Sequence, residues 1–283
     1  MAPRKALTAR QRRLGVELRK IREHTGMTIA QAAALLGADR TTISNTESGR
    51  FGVSPERVRA WAGHYECPDA AYVDALASMA AERINGWWED YRGDLSSGAL
   101  DLAELEHHAA GIRAVQIMYI PGLLQTEDYA RAVFTEAVPP PNAAYLRRLL
   151  SHRLKRRDVL DRADPPTCTF LIHETALRMV FGGSKVARGQ LAYLLKESDR
   201  DNVTIRAIPF SAGGFPETGS STQYVYGSVP QLDTVQTDTA TGPAFLDAET
   251  RLVNYRAVLD RTEERSLDPE SSRDFISEIA QQV

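Results

Sequence analysis

The chain has 283 residues, 43% apolar and 25% charged, which suits about two ordinary globular domains and excludes a disordered class. No apolar run approaches the roughly 20 residues of a membrane span, and the basic opening lacks the apolar stretch of a secretory signal. The net charge of −3 hides an asymmetry, because residues 1–66 hold twelve Lys or Arg against six Asp or Glu, and the remainder twenty-two against thirty-one. A basic head on an acidic body suits a polyanion-binding module joined to a separate domain.

Residues 4–13 read as a basic arm, either laid along a phosphate backbone or minor groove or serving only as a solubilising tail. Leu14, Leu18 and Ile21 then recur at helical spacing, and Gly26 closes that helix. Thr28 opens a second helix with Gln31 as its capping-box partner, and Gly37 ends it. Asp39 caps a third, residues 40–46, stopped by Gly49. Ser54-Pro55-Glu56 opens a fourth with Val58, Trp61, Ala62 and Tyr65 on its core face. Residues 68–84 predict a fifth, followed by Trp87, Trp88 and a polar Gly/Ser stretch at 93–98.

Beyond it the pattern mixes helices and strands. Residues 100–119 read as one helix ended by Pro121-Gly122, Thr126 caps another, and 143–162 form a long Arg-rich one. Strand-like runs fall at 168–173, 203–209, 222–226 and 234–236, with a helix at 185–199 between the first two. Two helices close the chain, at about 247–262 and from Asp268-Pro269-Glu270 onward. The expected fold is an all-α helix-turn-helix N-terminal domain followed by an α+β C-terminal domain with a small, mostly antiparallel sheet. The expected boundaries are 1–66 for the arm and DNA-binding domain, 67–98 for a helical linker with a possible dimer contact, and 99–283 for a sensing or partner-binding domain.

The segment MTIAQAAALLGADRTTISNTESG carries the strongest signal. A helix-turn-helix needs one helix to brace the phosphates, a tight turn, and a second helix in the major groove. Small Ala33 permits close helix approach, Gly37 supplies a left-handed turn residue, and Ile43 points inward. Arg40, Thr41, Thr42 and Asn45 are left on the leading and outer faces. Arg pairs bidentately with guanine, Asn with adenine, and Thr meets a phosphate or a thymine methyl. Thr28 and Arg50 complete the expected DNA-binding set. Residues 14–65 resemble the lambda repressor and Cro-like (XRE) family through LGVELRKIREHTGMT, IAQAAALLGADRTTISNTESG and SPERVRAWAGHY. The resemblance implies base readers at Arg40, Thr41 and Asn45, and a structural pair between Arg22 and Glu47. Ile29 stands where the family often carries a phosphate-binding Gln. Arg22 also makes physical sense beside Glu47, since a partly buried carboxylate takes a bidentate cation.

Little in the C-terminal part reads as chemistry. Gly182-Gly183-Ser184-Lys185 lacks phosphate-loop spacing and reads as a turn with Ser184 as a helix cap. His107 and His108 are adjacent, so on a helix they point about 100° apart and cannot face one metal. His173-Glu174 ends a strand and offers the residue types of an acid/base pair, but no nucleophile lies nearby in sequence, and Cys168 on an apolar strand reads as a core residue. Cys67 and Cys168 are the only cysteines and have no zinc or disulfide spacing. No metal and no cofactor is expected, and a reducing cytoplasm fits.

Residues 87–275 resemble the domain of unknown function that follows the helix-turn-helix in actinobacterial WhiJ-type regulators. The resemblance is carried by IPGLLQTEDYARAVF, FLIHETALRMVFGG, NVTIRAIPFSAG and LDPESSRDFI; residues 236–241 are more polar than that family's stretch. It implies a cytoplasmic regulator, often modulated by a small protein encoded next door.

The expected function is sequence-specific transcriptional regulation, with a homodimer bound to inverted half-sites in double-stranded DNA. Control would come from a small partner protein or a small-molecule ligand at the C-terminal domain. Phe210 and Phe215, at the start of and within the 211–221 loop, and Tyr129 in the 121–129 turn, are the expected partner contacts. The alternative is an enzyme fused to a DNA-binding module, which would need a paired nucleophile and base.

Overall fold

The computed structural model describes residues 7–82, 86–216, 218–239 and 242–283. The chain divides into two compact units, Met1–Glu89 and Asp90–Val283. The first contains helices α1 (Ala9–His24), α2 (Ile29–Leu35), α3 (Arg40–Glu47), α4 (Pro55–His64) and α5 (Ala70–Ala81). Thr8, Thr28, Asp39, Ser54 and Asp69 cap them in turn through side-chain oxygens, each worth about 1 kcal/mol. Leu18, Ala32, Ile43, Val58, Trp61, Tyr65 and Leu76 bring one buried side chain or more from every helix.

The first helix starts earlier than its apolar periodicity suggests, because Thr8 and Gln11 form a reciprocal capping box. Arg10, Arg12 and Arg13 of the expected arm are therefore helical. Arg10 bonds Glu82 through two nitrogens at 2.8 and 2.9 Å, and Arg13 pairs with Glu17 at 2.5 Å. Arg4 and Lys5 lie outside the described residues. Helix α5 packs on α1 and α4, and Tyr72 Oη donates to buried Glu17 at 2.5 Å. Trp88, in the expected linker, is 4% exposed.

The second unit runs α6 (Ser97–His107), β1 (Gly111–Gln116), α7 (Glu127–Thr135), α8 (Ala143–Arg156), β2 (Thr167–His173), α9 (Glu174–Arg178), α10 (Ser184–Glu197), β3 (Val203–Ile208), β4 (Thr222–Tyr226), β5 (Thr234–Thr239), β6 (Gly242–Leu246), α11 (Glu249–Glu263) and α12 (Pro269–Gln282). The strands form one mixed sheet in the order β3-β2-β1-β4-β5-β6. β1, β2 and β3 are parallel, and the other three pairings are antiparallel. The all-α head and the α+β body with a mostly antiparallel sheet are the expected classes.

Strand register explains the two cores. Ile112, Ala114, Cys168, Phe170, Ile172, Val203, Ile205 and Ala207 share one face and pack with Leu191, Leu194, Ile276 and Ile279 of α10 and α12. Val115, Leu171, Ile208, Tyr224 and Val235 share the other, under Leu252 and Leu259 of α11. A central strand buried on both faces reads as a continuous apolar run, as Cys168 to Ile172 nearly does.

Two strands depart from the sequence reading. The segment expected as one helix over 100–119 ends at His107 and re-forms as β1. Arg162 donates to the His107 and Ala109 carbonyls at 2.5 and 2.7 Å and so secures that helix end from a distant residue. Within β1, Arg113 points to α11 and bonds Asp260 and Glu263, each at 2.7 Å. β6 opens with Gly242-Pro243 at the sheet edge, where a missing N–H is tolerated. Ser184 is the first residue of α10 rather than its cap; Gly183, with φ +88°, holds the cap position.

His152 on α8 is 5% exposed and lies edge-on to Tyr91 at 5.0 Å. Desolvation, reinforced by Arg156, Arg153 and Arg148, pulls its pKa down to about 3. The folded state thus holds a neutral imidazole that the unfolded chain protonates below about pH 6.5. Stability is complete above that pH and falls as pH drops toward the folded pKa, losing about 2 kcal/mol between pH 7 and pH 5. His152→Phe should flatten this part of the pH–stability curve in calorimetry of the full chain. An unaltered curve would remove His152 from the account.

Candidate nucleic-acid interface

The α2–α3 pair is built by its turn. The Ala38 N–H donates to the Ala33 carbonyl at 2.9 Å and that of Gly37 to Ala34 at 3.4 Å, closing α2 with a Schellman motif. Gly37 sits at φ +61° with open space where a Cβ would go, so its left-handed backbone, not crowding, requires glycine. Asp39 then starts α3, accepting from Thr42 N and Thr42 Oγ1, both at 2.7 Å. These bonds hold the Asp39 carboxyl below its ordinary range, the side-chain one first.

Helix α3 has two unlike faces. Ile43, Thr46 and Glu47 are buried. Arg40, Thr41 and Ser44 are exposed and Asn45 is half-buried, at the i, i+1, i+4, i+5 spacing of one stripe. Among the described residues, the side chains of Arg40, Thr41, Ser44 and Asn45 have no hydrogen-bond or ion-pair partner. Arg50, exposed just beyond the helix, has none either. Thr42 differs from the others, since its hydroxyl is committed to Asp39. Thr28 is exposed at the start of α2, with its hydroxyl donating to Gln31 Oε1 at 2.9 Å.

Arg22 and Glu47 fix α3 against α1. Arg22 Nε and Nη2 reach the two Glu47 oxygens at 2.6 and 2.9 Å, with both side chains 5% exposed. The Arg22 pKa is raised, chiefly by this hydrogen bond. A buried bidentate pair is costly to break from one side, by about 3–5 kcal/mol. The sequence reading missed Gly15, which lies where α1 crosses the end of α3. A Cβ there would stand 2.6 Å from both the Thr46 and Glu47 carbonyl oxygens. A glycine inside an amphipathic helix, against its propensity, was the available signal.

The expected partner contacts separate. Phe210 is 57% exposed. Phe215 is partly buried against the α11-side core, and the His173 ring centre lies 5.3 Å from that of Phe210 and 5.5 Å from that of Phe215. Tyr129 is a core residue, 1% exposed, whose Oη accepts from Ile120 N at 3.2 Å. The Thr126 cap turns Tyr129 inward at the start of α7, which removes it from the surface set. Met118, Tyr119, Met179 and Val180 are exposed and, with Phe210, follow the C-terminal ends of β1, β2 and β3. His173 and Glu174 are taken up locally. The His173 ring accepts from Thr175 N at 3.3 Å, while Glu174 accepts from Arg178 at 2.6 Å and from Phe210 N at 2.7 Å. Cys168 is fully buried, and desolvation pushes its thiol up to about 12.

Among the described residues, no group of three or more His, Cys, Asp or Glu is placed to hold a metal, and no helix is long and apolar enough to cross a membrane. Comparison with known proteins adds two matches. A family model described as Helix-turn-helix domain matches residues 13–76. One described as Domain of unknown function (DUF5753) matches residues 99–278, more than half of the chain. No curated protein and no solved structure matches the chain. The chain therefore belongs to the family of the Domain of unknown function (DUF5753), and carries a DNA-binding helix-turn-helix domain ahead of it.

Proposed function

We propose that the chain is a sequence-specific transcription regulator of the XRE, WhiJ type, acting in an actinobacterial cytoplasm as a homodimer on inverted half-sites. The observation that carries this reading is the unpartnered polar stripe of α3. Arg40, Thr41, Ser44 and Asn45 project from a helix that is otherwise locked by the Arg22–Glu47 pair and the Gly15 crossing. Side chains without intrachain partners keep their donors and acceptors for base edges. Arg50 and Thr28 flank the stripe and are assigned to phosphates, which position the helix without reading sequence.

The division of labour follows the chain, with residues 1–66 reading DNA, 67–98 linking and contributing to dimerisation, and 99–283 receiving a controlling signal. The exposed apolar residues after β1, β2 and β3, with Phe210 foremost, are the surface assigned to a partner protein. Parallel strands commonly present binding loops at their C-terminal ends. Such a partner regulates only if it binds the free and DNA-bound forms unequally.

The test is binding of the full chain to duplex DNA across a salt series, by fluorescence anisotropy. Affinity should fall by about three orders of magnitude between 50 and 200 mM salt if roughly six phosphates are neutralised. Arg50→Ala should weaken binding to all duplexes alike and reduce the salt slope by about 1. Absence of duplex binding at low salt would end this reading. An unchanged slope in the variant would release Arg50 from the phosphate role.

A further inference from the structure

The end of α8 gathers Arg153, Arg156 and Arg157, and these three cations are not equally satisfied. Arg156 is paired bidentately with Glu106, at 2.7 Å for both bonds, with side chains 8% and 1% exposed. Glu106 also accepts from Gln223 at 3.0 Å, so its charge is already engaged. Arg157 lies over the Tyr193 ring at 4.7 Å. Arg153 has no carboxylate partner among the described residues. Its Nη1 donates to the neutral Gln125 Oε1 at 2.5 Å, and its guanidinium lies 4.9 Å from the Phe134 ring centre.

The surroundings hold that arrangement open. Gln125 Nε2 donates to the Ile120 carbonyl at 2.8 Å, which fixes the amide oxygen toward Arg153. Gly122 lies beneath both forks, and a Cβ there would stand 3.2 Å from Arg153 Nη1 and 3.3 Å from Arg156 Nη2. Two guanidinium groups thus converge over a residue without a side chain. Arg153 is half-buried as a whole residue, and desolvation of its guanidinium is the largest influence on it. Glu106 and, after it, Asp238 contribute negative potential to Arg153, yet neither forms an ion pair with it, and Gln236 holds Asp238 at 2.9 Å. The negative end of the α8 dipole favours basic residues in this turn, yet the Arg153 fork engages Gln125 and not the helix carbonyls.

Desolvation and then the neighbouring Arg156 push the Arg153 pKa down, but a guanidinium remains protonated at neutral pH. A desolvated cation without a direct ion-pair partner is costly. A planar fork with free N–H donors matches a carboxylate or a phosphate bidentately. We propose that Arg153, backed by Arg156 and floored by Gly122, anchors a binding site for a small anionic ligand carrying a carboxylate or phosphate group.

The test is thermal unfolding of the full chain, without DNA, in sodium phosphate or sodium succinate at ionic strength matched with sodium chloride. The chain should be stabilised by at least one of the two anions, and which one acts separates phosphate from carboxylate recognition. Arg147→Met, an exposed position on the same helix, should keep the full shift, and Arg153→Met should lose it. Should that variant fold poorly, Arg153→Lys, which keeps the charge but loses the fork, should show a reduced shift. No anion-dependent shift in the parent chain, or an equal shift in the Arg153 variants, would overturn the site. DNA takes no part in this titration, so its failure leaves the regulator reading untouched.

Discussion

Gly15→Ala should cost the helix-turn-helix unit about 3 kcal/mol and lower its melting temperature by roughly 15 °C. In an isolated helix the same change would stabilise by up to about 1 kcal/mol. Here the new methyl meets two carbonyl oxygens at 2.6 Å and the Gly49 amide nitrogen at 2.7 Å, all of them backbone. None of these atoms can rotate away, so α1 must lift from the end of α3. Gly63→Ala makes the contrast. It lies on α4 with no atom within 4 Å of the new Cβ, so it should leave stability unchanged or raise it by about 1 kcal/mol. Calorimetry of both variants in the full chain distinguishes the cases. Equal melting of the two would show that the α1–α3 crossing is looser than the geometry described.

Arg40→Ala combined with Asn45→Ala should remove discrimination between DNA sequences while leaving the fold intact. Neither side chain has a hydrogen-bond or ion-pair partner among the described residues, so truncation removes no intrachain bond. Each bidentate base contact is worth about 1–3 kcal/mol, so the pair should cost about 2–6 kcal/mol, or roughly 30-fold to 20,000-fold in specific affinity. Non-specific binding should persist at a lower level, because Arg50 and the other basic residues still meet phosphates. Competition of operator against unrelated duplex reads this ratio directly. A retained ratio would move sequence reading away from α3.

The elements that local chemistry determines were legible in the sequence. Thr28 with Gln31, Asp39, and Ser54 with Pro55 cap helices in the structure as their residue types imply. Gly37 occupies the left-handed turn that its position between two amphipathic segments demanded. The Arg22–Glu47 pair was readable because the family resemblance and the need of a buried carboxylate for a cation agreed. What failed was tertiary in origin. β1 was absorbed into the preceding helix because Leu100 to Val115 keeps enough apolar residues at helical spacing; its strand identity comes from pairing with β2 and β4. Tyr129 looked like a surface aromatic in a turn, and only the fold of Ile120 to Leu124 around it makes it core. Ser44 was overlooked although it lies four residues after Arg40 on the same stripe. Arg153 reads in sequence as one of many arginines on a basic helix; only the loop bearing Gly122 and Gln125 shows that its fork engages a neutral amide and not a carboxylate.

The central claim is that α3 reads a defined DNA sequence. It is tested most directly by selection of duplexes from a random pool with the full chain, run beside the Arg40→Ala, Asn45→Ala variant. The account predicts one enriched motif with two inverted half-sites about one helical turn apart, and no enrichment by the variant. Recovery of no common motif by the parent chain, or of the same motif by the variant, would contradict it.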